Sequence, residues 1–203
     1  MELELLADGH PRLAPSSDLA VAAHQLERAE VRGDLAEGHR ATVLDFLLDH
    51  SDAAQRTCGE GHLTGSALVV DAAGERTLLM LHRKLGRWFQ PGGHADGDTN
   101  LAAVALREAG EETGIGGLRV ALPAIDVDVH LVEPPGEVPH LHLDVRFLVV
   151  APAGALEEAN EESLALRWVT EDELDDLRPA LDGSTRRLVH RGLAVVGELP
   201  PGS

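Results

Sequence analysis

A chain of 203 residues, 43% of them hydrophobic, can furnish one globular core with added elements but leaves little room for a second large domain. Its 35 acidic against 17 basic residues give a formal charge of -18, which disfavours bulk nucleic acid and acidic membranes as partners; a small phosphorylated ligand stays open, because a bound divalent cation supplies positive charge that the total conceals. The single cysteine, Cys58, excludes an intrachain disulfide and a thiolate metal site, no apolar run reaches the roughly 18 residues of a bilayer span, and MELELLADGH has neither the basic nor the apolar part of a leader, so a cytoplasmic protein is expected.

Residues 1–60 are rich in Ala, Leu, Glu and His, with helical spacing over residues 17–31 and again over 38–50. In the second segment Val43, Phe46 and Leu47 share one stripe, as in a helix packed on a neighbouring core. These residues are expected to form an N-terminal helical extension that either covers a pocket or makes a homodimer contact, with the principal domain over 61–203. From Leu63 the pattern turns to short β-rich runs: residues 66–71 and 76–83 as a hairpin turning at 72–75. A helix is predicted over about 99–113, strands over 118–132 and 140–151 with the Pro- and Gly-containing loop 133–139 between them, a short strand over 165–169, a short helix over 171–177 and a last helix over 184–196. Strands with interspersed helices imply an α/β fold with a mixed β-sheet.

The predicted helix 99–113 carries the densest chemistry. Glu108, Glu111 and Glu112 stand three and four residues apart, so their carboxylates gather on one side. Near a helix C-terminus three such charges repel one another and oppose the helix dipole, and a bound cation is the natural compensation. Leu101, Val104 and Ala105 lie on the stripe that runs on into Glu108 and Glu112, so these acids extend a buried face; a solvated charge run would sit opposite it. Ala102, Leu106 and Ala109 form a second packed face. Gly114 suits a left-handed helix end, and Gly92-Gly93 permits a tight turn beside the acids.

This stretch resembles the box of the Nudix family, G-x5-E-x7-R-E-U-x-E-E-x-G-U with U apolar. Gly93, Arg107, Glu108, Glu111, Glu112, Gly114 and Ile115 match in register, and Ala109 fits the first U. One position departs: Thr99 stands where the family has its first box Glu, among Asp96, Asp98 and Asn100, which leaves Arg107 to pair with Asp96, Asp98 or the other box acids. The resemblance implies an α/β/α sandwich around a mixed sheet, with the box as a loop-helix-loop (Gly93 included) binding Mg²⁺, or Mn²⁺, through Glu108, Glu111 and Glu112. It further implies hydrolysis of a diphosphate linkage in a nucleoside triphosphate or a nucleoside diphosphate derivative. Two other outcomes of the same fold are a domain that binds such a ligand without cutting it and an isopentenyl-diphosphate isomerase; Cys58 lies outside the context the latter requires.

The family draws its general base from the box or from a carboxylate on a later loop. Glu157, Glu158, Glu161 and Glu162 supply such acids, with Glu162 the first choice, set against the ordinary reading of each as a solvated loop acid. In PHLHLDVRF, His140, His142, Asp144 and Arg146 alternate with apolar residues. Their face either meets solvent or turns into the pocket to join His94 and bind phosphate or an additional metal. Arg83, Lys84 and Arg87 concentrate positive charge just before the box, with Arg83 and Arg87 the candidates for substrate phosphates; Trp88 is placed in the core in preference to stacking on a base.

Overall fold

The computed structural model of the chain describes residues 3–134, 136 and 138–197. Nine strands form a mixed sheet flanked by four helices. Its centre is the parallel pair β2 (Gly61–Val70) and β8 (His140–Val150), joined over their whole lengths from Gly61 beside Leu141 to Val70 beside Val150. On the outer side of β8 lie β7 (Asp126–Val132) and β6 (Arg119–Leu122), and beyond β6 runs β1 (Glu4–Ala7). On the outer side of β2 lie β5 (Gly92–His94) and β3 (Thr77–His82), and β3 pairs with β4 (Trp88–Phe89) and β9 (Ser163–Val169).

Because side chains alternate along a strand, odd and even positions of β2 and β8 face different layers. Leu63, Ala67, Val69, Leu143, Val145, Phe147 and Val149 share a core with α1 (Leu19–Glu27), α2 (Asp34–Asp49) and α3 (Leu101–Thr113). Leu68, Val70, Leu148 and Val150 pack with Leu188, Val189 and Val195 of α4 (Gly183–Val196). The result is the expected α/β/α sandwich. Residues before β2 contribute to both layers, with Leu3 in the α4 core and Leu26 and Val43 in the other. Asp18 accepts from the Ala20 amide and so caps α1.

Most elements fall where the sequence predicts them, and the differences have local causes. The strand expected over 118–132 is two: β6 and β7 are separated at Pro123, which has no amide hydrogen for a ladder, and they pair with different stretches of β8. β2 starts five residues before the predicted strand, because His62 and Thr64 alternate with Leu63 and Gly65 and hide its apolar period. The segment expected as a short helix is a 3-10 turn, Glu171–Asp176. β1, β4 and β5 were not anticipated, being two to four residues long. Of the expected loop 133–139, positions 135 and 137 lie outside the described residues.

Candidate active site

β5 and α3 bring the box acids together. Helix α3 ends at Gly114, in the left-handed region at φ 68°, as the sequence suggests. Its inward stripe, Leu101, Val104 and Ala105, is fully buried, and Glu112 continues it with 5% exposure. The Glu112 Oε2 accepts the Gly92 amide hydrogen at 2.9 Å, which ties the helix end to β5. At Gly93 a Cβ atom would overlap the Glu108 carboxylate, so a side chain there would displace that carboxylate from its place beside the strand. Glu111, one step round the helix, is exposed at the rim.

Burial pushes the Glu112 carboxyl up to about 8 against the opposing pull of the Gly92 amide, and the negative charges of Glu108, Glu162 and Glu111 push the same way. Burial also raises Glu108, although Arg107 donates to its Oε1 at 2.8 Å and pulls it down. Arg107 reaches toward Glu111 at 3.9 Å as well, so it pairs within the box. Asp96 is taken instead by Arg56, through two bonds of 2.6 and 2.7 Å.

Glu162 enters this field from the loop before β9. Asn160, unremarked in the sequence, holds that loop: its Nδ2 donates to the Glu111 carbonyl at 3.2 Å and its Oδ1 accepts the Glu162 amide at 2.9 Å. The other loop acids are placed differently. Glu157 accepts from the Trp168 indole at 2.8 Å, and the Glu158 amide donates to the Thr113 carbonyl at 2.7 Å. Trp88 is core, 6% exposed, with its indole N–H on the Arg178 carbonyl.

Two expectations about substrate contacts are corrected. Arg83 gives its Nε and Nη2 to the carbonyls of Glu161 and Ser163 at 2.8 and 2.9 Å and so shapes the loop bearing Glu162, which leaves at most its Nη1 side for a phosphate. Asp144 is 2% exposed and accepts from Thr64, Ser66 and Arg146, which leaves it no path to a ligand. It belongs to a buried ion network in which Arg146 also meets Asp126, Asp128 and the Ser184 hydroxyl, and Arg187 meets Asp126 and Asp128. Arg87 stands exposed ahead of β4.

His94 and His142 do not join the carboxylates. His94 pairs with Thr64 across β5 and β2, and so faces the sheet side that carries the even positions, away from α3. There it meets His62 and His142 at ring-centre distances of 4.9 and 5.0 Å, with His140 and His130 alongside. The polar alternation of β8 is therefore neither a solvent face nor a lining for the box acids: it is a buried polar seam. His62 was missed, although its alternation with Thr64 and Ser66 repeats the pattern of His142, Asp144 and Arg146. Cys58 is buried, which pushes its thiol up, the reverse of an activated nucleophile.

Comparison with known proteins agrees with this geometry. A family profile described as the NUDIX domain matches residues 62–191. A Mycobacterium tuberculosis protein named as a candidate 8-oxo-dGTP diphosphatase is 35% identical over 124 residues, which are 57% of this chain and 55% of that one, so the chain spans about half the length of this relative. A Streptomyces ambofaciens protein named MutT-like is 30% identical over 150 residues, 68% of this chain and 90% of its own. A solved NUDIX-family hydrolase from Clostridium perfringens superposes with a TM-score of 0.56 at 20% identity, over 66% of this chain and 97% of its own, a likeness of fold. Among the described residues no helix is long and apolar enough to cross a membrane.

Proposed function

Because the chain belongs to the Nudix family, we propose that it hydrolyses a diphosphate linkage in a nucleoside triphosphate or a nucleoside diphosphate derivative, with Mg²⁺ held by Glu108, Glu111 and Glu112. The observation that carries this reading is the pair Glu108 and Glu112, a half-buried and a buried carboxylate on successive turns beside the Gly92-Gly93 strand, each pushed toward its protonated form by burial and by the other acids. Such a pair is at odds with its surroundings until a hard cation arrives, and oxygen donors of this kind suit Mg²⁺, with Mn²⁺ accepting the same ligands.

When bound, the divalent ion supplies neutralisation of the diphosphate oxygens and acidification of the attacking water. The protein's own part is placement. Arg107 neutralises part of the acid cluster and turns its Nη2 toward the His94 carbonyl at 3.4 Å, joining the helix to β5. Glu162, held by Asn160 and by the Arg83 bonds on either side of it, is the first choice to take the proton of the attacking water. Exposed Arg87 remains available to an outer phosphate.

The names of the two relatives, 8-oxo-dGTP diphosphatase and MutT-like, make purine nucleoside triphosphates the first substrates to try. The deciding experiment is a panel of 8-oxo-dGTP, dGTP, ADP-ribose, nucleotide sugars and dinucleoside polyphosphates with Mg²⁺, comparing the wild type with Glu112→Gln. Mg²⁺-dependent product release that falls by roughly a hundredfold or more in the variant is the expected result. Equal inertness of both proteins, with ligand still bound, would make the chain a binding domain instead.

A further inference from the structure

Five of the eleven histidines crowd one end of the sheet on the face away from α3. At their centre, His62 is 3% exposed, and neither of its ring nitrogens has a hydrogen-bond partner. The Cys58 carbonyl is near enough to favour a charged ring but does not reach hydrogen-bond geometry. A buried imidazole with both nitrogens unpartnered keeps the desolvation cost of its polar atoms with nothing to offset it, so this arrangement calls for a ligand. Ring nitrogens of His62, His94 and His142 all lie within 4.8 Å of one another.

We propose that His62, His94 and His142 form a site for one divalent transition-metal ion of the zinc type, separate from the carboxylate site on the other face. Three imidazoles with no carboxylate or thiolate among them suit Zn²⁺, Cu²⁺ or Ni²⁺ and are a poor set for Mg²⁺, which prefers oxygen. Ligand atoms around tetrahedral zinc stand roughly 3.3 Å apart, given Zn–N bonds of about 2.0–2.1 Å, so the three rings would draw together on binding from their present spacing of up to 4.8 Å.

The neighbouring groups fit this use. His140 Nδ1 is engaged by the Val138 carbonyl at 2.8 Å, with its ring centre 4.8 Å from that of His62. His130 is held by Asp128 at 3.0 Å, with its ring 5.6 Å from His142. Burial pushes His94 and His142 down, aided at His94 by the Arg56 charge and at both by the adjoining rings. The nearby acid Asp96 is bound to Arg56. The three ligands come from β5, β2 and β8, so an ion there would clamp the strand that carries Gly92 and Gly93 onto the sheet centre.

The test is a calorimetric titration of Zn²⁺ into chelator-stripped full-length protein, in excess Mg²⁺ so that the carboxylate site is already engaged. One equivalent is expected for the wild type and for Glu112→Gln, with a rise in melting temperature, and binding weaker by roughly a hundredfold or more in His94→Gln/His142→Gln. X-ray absorption at the zinc edge of the loaded wild type is expected to show imidazole ligation, and this measurement decides the matter on the unaltered chain should the double variant fail to fold. No zinc binding by the wild type, loss of binding in Glu112→Gln with retention in the histidine variant, or ligation by oxygen alone would each overturn the proposal.

Discussion

Replacing Glu112 by Gln is expected to abolish hydrolysis and, in the absence of metal, to stabilise the fold at alkaline pH. The folded carboxyl sits at about 8 against an ordinary 4.5. Between those values the folded chain therefore holds more protons than the unfolded one, and stability declines as pH rises through that window and levels off above it. At ~1.4 kcal/mol per tenfold change in proton affinity, the cost above pH 8 is on the order of 5 kcal/mol, and it vanishes below about pH 4.5. Gln removes the charge, and its carbonyl oxygen can still accept the Gly92 amide. The assay is urea unfolding in EDTA from pH 5 to 9. With a slope of about 2–3 kcal/mol/M, the variant midpoint should exceed the wild type by roughly 1.6–2.5 M at pH 8.5 and by little at pH 5. Mg²⁺ should then raise the wild type and leave the variant unmoved, since only the carboxylate form gains from the ion. A wild-type-minus-variant difference that does not change with pH would refute the electrostatic account of this site.

Two further substitutions probe the cradle and the seam. Gly93→Ala, which drives a methyl into the Glu108 carboxylate, is expected to cost about 1–3 kcal/mol of stability and to weaken Mg²⁺ activation in a metal titration of the rate; unchanged Mg²⁺ dependence would show that the Glu108 position is not needed. Arg146→Met, which leaves Asp126 and Asp128 with Arg187 as their arginine partner and Asp144 with only the hydroxyls of Thr64 and Ser66, should destabilise by about 3–5 kcal/mol in denaturant unfolding at pH 7.5. In the wild type, against the opposing effect of burial, the His130 hydrogen bond and the charges of Arg146 and Arg187 hold Asp128 well below the usual carboxylate range, so that contribution is present above about pH 4 and is lost only on strong acidification. In the variant Asp128 loses one of the charges that hold it down and is expected to shift upward, and the deficit should shrink toward pH 5; a deficit constant with pH would mean that packing, not charge, holds the seam.

The sequence makes the box helix legible because everything that defines it is local. Glu108 and Glu112 are related to Leu101, Val104 and Ala105 by the helical period alone, and Gly114 marks the end by its own conformational needs. His62 was invisible for the opposite reason: it meets His142 only through the parallel register of β2 and β8, eighty positions apart in sequence, and a parallel pairing leaves no turn between its strands to announce it. Asp144 misled because alternation on a strand separates two faces without saying which is buried, and here both are. β5 has the residues of a turn, Gly-Gly-His, and becomes a strand through the ladder that β2 offers it.

Thr99 joins these threads, since its departure from the box is explained by the segment before the domain. It is 1% exposed, and its hydroxyl lies at 3.1 Å from the Ser16 carbonyl and 2.8 Å from that of Asp18, while its amide donates to Ser16 as well. Two carbonyl oxygens need a donor, which a hydroxyl supplies and an ionised carboxylate does not, so glutamate here would bury a charge against acceptors. The same segment completes the helix start. Asn100 Nδ2 donates to the carbonyls of Arg12 and Ala14, and Gln25 Oε1 accepts the Leu101 amide, one of the orphan donors at the first turn of α3. Asp98 accepts the amides of Ser16 and Asn100. Support that a glutamate at position 99 would give from inside the box thus comes from residues 12–25, and Arg107, with no acid at 99 to hold it, turns to Glu108 and Glu111. The extension and the altered box position are two sides of one contact, and the metal-type carboxylates lie beyond it at the opposite end of the helix.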